Sequence, residues 1–102
     1  MKIEVTNEGG VVTVKLDGWL DTASAPELGA EIEKLNEAKE LVLDFEKVEY
    51  MASSGLRQVL ASHKKAKELG AEFSVINVGN ETMSVFEMTG IDKKLNIKKQ
   101  RG

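Results

Sequence analysis

Ser53-Ser54, directly ahead of Gly55-Leu56, are the residues of this 102-residue chain best suited by type to act as a nucleophile. A serine hydroxyl attacks only when a base takes its proton, and the sole imidazole is His63. The surrounding pattern predicts one helix through both positions, which separates them by ten residues, roughly 15 Å along the axis. A general base must come within about 3 Å, so an intramolecular Ser–His pair is excluded. The sequence holds no GxGxxG, no P-loop, no HExxH and no aspartate-rich calcium loop. The absence of cysteine removes disulfides, thiolate catalysis, iron–sulfur clusters and Cys-based zinc sites. The carboxylates stand at helical or surface spacing and read as solvated faces. These residues argue against an enzyme, and for a chain with neither metal nor organic cofactor.

Charge narrows the partners. All 17 acidic residues lie at or before Asp92, where only nine of the 14 basic residues are found, a net −8 for that part. Lys93, Lys94, Lys98, Lys99 and Arg101 give the last ten residues +5. A body that acidic repels phosphate backbones, which argues against direct nucleic-acid binding. The basic tail, about residues 93–102, reads as a solvated end. No stretch approaches the ~18 apolar residues of a membrane span, and the N-terminus lacks a signal peptide's apolar core. A cytoplasmic protein with no membrane insertion is expected.

At 41% apolar and 30% charged residues, the chain has the composition of a folded globular protein. Its length suits one domain over residues 1–102. Ile3 and Val5 alternate with polar residues, and Val12, Val14 and Leu16 do so again after Asn7-Glu8-Gly9-Gly10, which predicts a hairpin. Thr22 to Glu27 opens a helix, with Ser24 and Glu27 at capping-box spacing. Leu28, Ile32 and Leu35 form its buried stripe. The run Leu41 to Phe45 reads as a central strand covered on both faces. A second helix is expected from about Ser54 to Leu69, a strand around Phe73 to Ile76, and a third helix between Asn80 and Gly90. Leu95 to Ile97 suggests a short last strand. The order β-β-α-β-α-β-α-β predicts an α/β fold with a mixed, mostly parallel sheet, an N-terminal hairpin and right-handed crossover helices.

In such a sheet the loops leaving the strands toward their helices share one edge, where ligands and partners gather. Asp21-Thr22 and Ala52-Ser53-Ser54 both fall there. Ser53 or Ser54 also stands where a helix N-cap is expected, a role worth about 1 kcal/mol. His63 shares a helical face with Leu56, Val59, Leu60 and Ala66 and reads as packing at the core rim. Trp19 and Tyr50, lone aromatics near strand ends, read as covers for the core edge; two rings without basic neighbours make a poor nucleic-acid platform.

The string from Leu41 to Leu56, LVLDFEKVEYMASSGL, resembles the signature of the bacterial anti-sigma-factor antagonists, the STAS-domain family. There, an apolar strand ending in Asp or Asn leads to a loop of the form Asp-Ser-Ser/Ala-Gly-Leu. Leu16 to Thr22 is similar to the family's earlier Gly-x-Leu-Asp element, and Met88-Thr89-Gly90-Ile91 to its late Thr/Ser-Gly-Leu element. The resemblance implies a STAS fold and a phosphorylation-switched binding module of a partner-switching pathway. The unphosphorylated form would bind an anti-sigma factor that is also a serine kinase, freeing a sigma factor for transcription, with a phosphatase to reset it. By position the phosphoacceptor is Ser53, with Ser54 the alternative and Asp21 and Asp44 the neighbouring carboxylates. The implied partner surface takes in Asp21, Thr22, Met51, Ser53, Ser54, Gly55 and Arg57. Two residues depart from the pattern: Ala52 replaces the usual Asp before the acceptor, and Arg57 is larger than the residue often found there. The other implied class is a STAS module without a phospho-switch, such as an accessory subunit of a membrane transporter or a small-ligand sensor.

Overall fold

The computed structural model describes residues 1–100. Strands β1 (Lys2–Glu8) and β2 (Val11–Leu20) form the expected antiparallel hairpin. Its turn needs Gly9 and Gly10, whose φ values of 60° and 92° lie where L side chains are strained. There follow α1 (Ala25–Glu33), β3 (Glu40–Met51), α2 (Ser53–Glu68), β4 (Glu72–Val78), α3 (Asn80–Thr89), a 3-10 turn at Ile91–Lys93, and β5 (Asn96–Lys99). The strands lie in chain order, β1-β2-β3-β4-β5, and every pairing after the hairpin is parallel.

That order fixes where the core sits. Parallel strands added in one direction place every right-handed crossover on the same face of the sheet. Val12, Val14 and Leu16 of β2 and Leu41, Leu43 and Phe45 of β3 accordingly meet Leu28 and Ile32 of α1, Val59 of α2 and Phe86 of α3 in one cluster. The expectation that β3 is covered on both faces is therefore corrected. Val42 is buried but stands outside the cluster. On its face the neighbouring register positions are Thr13 and Ser74, then Lys15, Asp44 and Ile76. Flanking strands alone shield a central valine there, which is why the sequence run looked covered on both sides.

β3 is also longer than the apolar run suggested, reaching Met51. Twice it carries one residue more than β2: Lys15 pairs with Asp44 but Asp17 with Lys47, and Gly18 with Val48 but Trp19 with Tyr50. Such bulges bend a strand and re-aim its side chains. The basic tail is solvated as expected, its described lysines being exposed, but it is also ordered. Lys93 lies in the 3-10 turn, and Lys98 and Lys99 lie in β5, which pairs with β4. The last two residues, Arg101 and Gly102, fall outside the described ones.

Candidate functional site

The ends of β2 and β3 deliver the site. Leu20 pairs with Met51 in the last rung of the ladder, and both side chains are buried. One residue on, the Ala52 N–H donates to the Leu20 carbonyl at 2.9 Å. The chain then turns into α2, whose N-cap is Ala52 in an extended conformation and whose first residue is Ser53. Neither serine caps the helix, contrary to expectation, because both already lie inside its first turn. The first N–H groups of α2 have no intrahelical acceptor, and no side chain supplies one.

Gly55 explains how the helix comes so close. A Cβ at this position would stand 2.6 Å from the Leu20 carbonyl oxygen and 2.7 Å from Leu20 Cγ. Met51 and Gly55 were expected on the partner surface; both are buried beneath it instead. They set the height and angle of α2 and are almost wholly shielded from solvent. Ser53, Arg57 and Thr22 are exposed, while Ser54 is half-buried with its hydroxyl 3.3 Å from Thr22 Oγ1.

The β2–α1 loop is held by its own polar atoms. Asp21 Oδ1 accepts the N–H groups of Ala23 and Ser24, each at 3.1 Å. The Ser24 backbone N–H, then the Ser24 hydroxyl and the Ala23 N–H, hold the Asp21 carboxyl below its ordinary value against the opposing effect of burial. Ser24 precedes α1 as its N-cap, but its hydroxyl turns back into the loop. It lies 2.6 Å from the Trp19 carbonyl and accepts the Asp21 N–H at 2.9 Å. The expected capping box with Glu27 is not formed, because the loop's own donors and acceptors claim that hydroxyl.

Asp44, expected as a second carboxylate beside the serines, is not there. Six residues of β3 lie between it and Met51 at the strand end, about 20 Å of strand. Its Oδ1 accepts the Asn77 side-chain amide and the Glu46 N–H, both at 3.0 Å. Asn77 has φ of 57°, a left-handed conformation that Asn tolerates better than most residues. The pair secures the end of the β3–β4 ladder, whose last rung is Asp44 with Ile76. On the same helix-free face, Asp44 helps line a shallow dent of about 300 Å³ with Lys2, Glu4, Lys15, Asp17 and Lys47.

Trp19 and Tyr50 do not cover the core edge. They are 58% and 49% exposed, and their rings pack on each other at 5.3 Å between centroids. Sequence reasoning missed this because the bulges hide which way each points. The available signal was alternation: with Leu20 and Met51 inward, their predecessors must face outward. His63 does sit at the core rim, half-buried against Phe73 with ring centroids 5.5 Å apart. Burial, and secondarily the Lys67 charge, lowers its pKa. Among the described residues no three His, Cys, Asp or Glu side chains gather as a metal site would require. No described helix is long and apolar enough to cross a membrane.

The arrangement is thus an exposed serine at a helix start, braced by a neighbouring strand end. The family model described as STAS domain matches residues 2–102. The chain belongs to the STAS domain family. Among its relatives, the anti-sigma F factor antagonist of Paenibacillus polymyxa is 26% identical over 100 residues, covering 95% of this chain and 86% of that protein. A solved anti-sigma factor antagonist from Mycobacterium paratuberculosis superposes with a TM-score of 0.80 at 28% identity, over 95% of this chain and 84% of that one. A sulfate transporter family protein from Wolinella succinogenes gives a TM-score of 0.80 at 14% identity, over 91% and 80% of the two chains. That last likeness is one of fold alone. In this STAS domain the elements carrying the early and central motifs meet at the Leu20–Met51 rung and the Ala52–Leu20 hydrogen bond, while Asp44 lies away from them.

Proposed function

We propose that this STAS domain is an anti-sigma-factor antagonist, a binding module switched by phosphorylation of Ser53. In this reading the unphosphorylated chain holds an anti-sigma factor that is itself a serine kinase, and a sigma factor is freed for transcription. Phosphate on Ser53 releases the partner, and a phosphatase restores the binding form. The observation that carries the choice of residue is the difference between the two hydroxyls. Ser53 is exposed with no hydrogen-bond partner among the described residues, whereas Ser54 is half-buried and engaged with Thr22. The family of the relatives, named as antagonists of anti-sigma factors, supports the class of partner.

The energetics favour release without refolding. A phosphate adds about −1.5 to −2 charges. The uncapped start of α2 favours that anion by about 0.3–1 kcal/mol, so the fold tolerates it. A partner seated on the neutral hydroxyl would instead have to desolvate it, at several kcal/mol. About 1.4 kcal/mol is enough for tenfold weaker binding, so the interface effect wins. Thr22, Ser53 and Arg57 form the exposed part of the partner surface in this reading, with half-buried Ser54 between them and Asp21 fixing the loop beside them.

The test measures the anti-sigma factor's affinity for Ser53→Asp, Ser53→Ala and Ser54→Ala, with folding followed by circular dichroism. Ser53→Asp is expected to bind at least tenfold more weakly and Ser53→Ala to bind but take up no phosphate. Wild-type affinity in Ser53→Asp, or phosphate uptake lost only in Ser54→Ala, would overturn the assignment. Recovery of transporter subunits in place of an anti-sigma factor would favour a module without a phospho-switch.

A further inference from the structure

Arg57 stands one helical turn beyond Ser53, and both are exposed. Residues four apart on a helix face have Cβ atoms about 5–6 Å from each other, within reach of an arginine side chain. Nothing else in α2 claims this guanidinium. Its other neighbours at three and four residues are Ser54, Leu60 and Ala61, and the first turn of α2 holds no acidic residue. Gln58, not Arg57, faces α1, lying against Gly29. On that helix and the adjoining loop the acidic groups are Asp21, Glu27, Glu31 and Glu33. Asp21 Oδ1 is occupied by the N–H groups of Ala23 and Ser24. Among the described residues the one ion pair is Lys34 with Glu31, so Arg57 is unpaired.

We propose that Arg57 is the intramolecular counter-charge of a phosphate on Ser53, folding back over the first turn of α2 to hold it. The inference rests on Ser53 being the modified residue. A guanidinium offers paired donors that match phosphate oxygens, which an ammonium does not. Ala52 matters for the same reason: a carboxylate there would compete for the guanidinium, and alanine leaves it unclaimed. The modification then changes the surface twice, adding an anion at Ser53 and withdrawing the cation at Arg57 from any partner. Regulation in this chain becomes a rearrangement of two side chains within one helical turn.

The experiment uses the full chain with phosphoserine inserted at position 53 during synthesis, so that no kinase is needed. The phosphate's second ionisation is followed by phosphorus NMR in the wild type, Arg57→Gln, Arg57→Lys and Lys39→Gln, a control at the other end of β3. The wild-type midpoint is expected about 0.3 pH unit or more below that of Arg57→Gln. Arg57→Lys should recover part of the difference, Lys39→Gln should match the wild type, and molar salt should shrink the gap. Equal midpoints in wild type and Arg57→Gln would overturn the pairing, whatever happens to Ser53 in cells. A clear gap in a chain whose Ser53 is never modified in cells would overturn the phospho-switch and leave the pairing standing.

Discussion

The hydroxyls of Thr22 and Ser54 lie 3.3 Å apart although 32 positions separate them in the chain. That contact, with the Ala52 N–H on the Leu20 carbonyl, joins the two site loops into one surface. Ser53 projects from the surface, and Ser54 belongs to its bracing.

Gly55→Ala should be destabilising by about 1–3 kcal/mol, the usual range for overpacking, because its Cβ would meet Leu20 backbone at 2.6 Å. Gly79 is the control, since nothing lies within 4 Å of its ideal Cβ; there the cost should stay below about 1 kcal/mol. Urea midpoints decide it. Equal shifts would mean that α2 does not press on the end of β2 as described.

Leu43 is completely buried in the central strand, so Leu43→Ala should cost about 2–5 kcal/mol. Lys64, exposed on α2, should tolerate alanine within about 0.5 kcal/mol. The same denaturation measurement separates the two, and similar midpoints would contradict the packing of β3 against the helices.

Acid should reach the β2–α1 loop through Asp21. Its folded-state pKa is lowered, chiefly by the Ser24 N–H and hydroxyl. The stabilisation it brings is therefore present above the ordinary carboxylate value, about 3.9, and fades as pH falls through the lower folded value. Comparing wild type with Asp21→Asn at pH 7 and pH 3, the wild-type advantage should shrink at the acid end. An advantage that is constant or grows on acidification would refute the loop bonding.

Trp19 is the chain's single tryptophan and is more than half exposed. Its fluorescence should show the long-wavelength maximum of a solvated indole and be quenched readily by iodide in the native state. Tyr50→Ala should raise its quenching further, since the tyrosine ring packs at 5.3 Å. Short-wavelength, protected emission would instead mean that the ring closes the core.

The α/β order, the hairpin, the sheet edge carrying the serines and the rim position of His63 were all legible in the sequence, because each rests on a period or a turn residue. Facing was less legible. Val42 sits in an apolar run yet on the open face, since flanking strands hide a valine as well as a helix does. Asp44 stands near the end of the apolar run, but the strand continues past it to Met51, so the likeness placed it too near Ser53. The serines were read as caps because nothing in the local pattern distinguishes the residue before a helix from the first residue within it. Bulges, which alter register by one residue without a composition signature, account for Trp19 and Tyr50.

The parallel rung between Leu20 and Met51 also governs when the surface comes into being. Residues 1–20 can zip into their hairpin from local contacts as soon as they exist. The rung waits for a loop of some thirty residues to close, the slow kind of contact in folding. On the ribosome, the serines thus stay unpresented until β3 has emerged and found β2. A nascent chain therefore lacks the joined two-loop surface until β3 has docked, and any partner that reads both loops at once meets it only after that step.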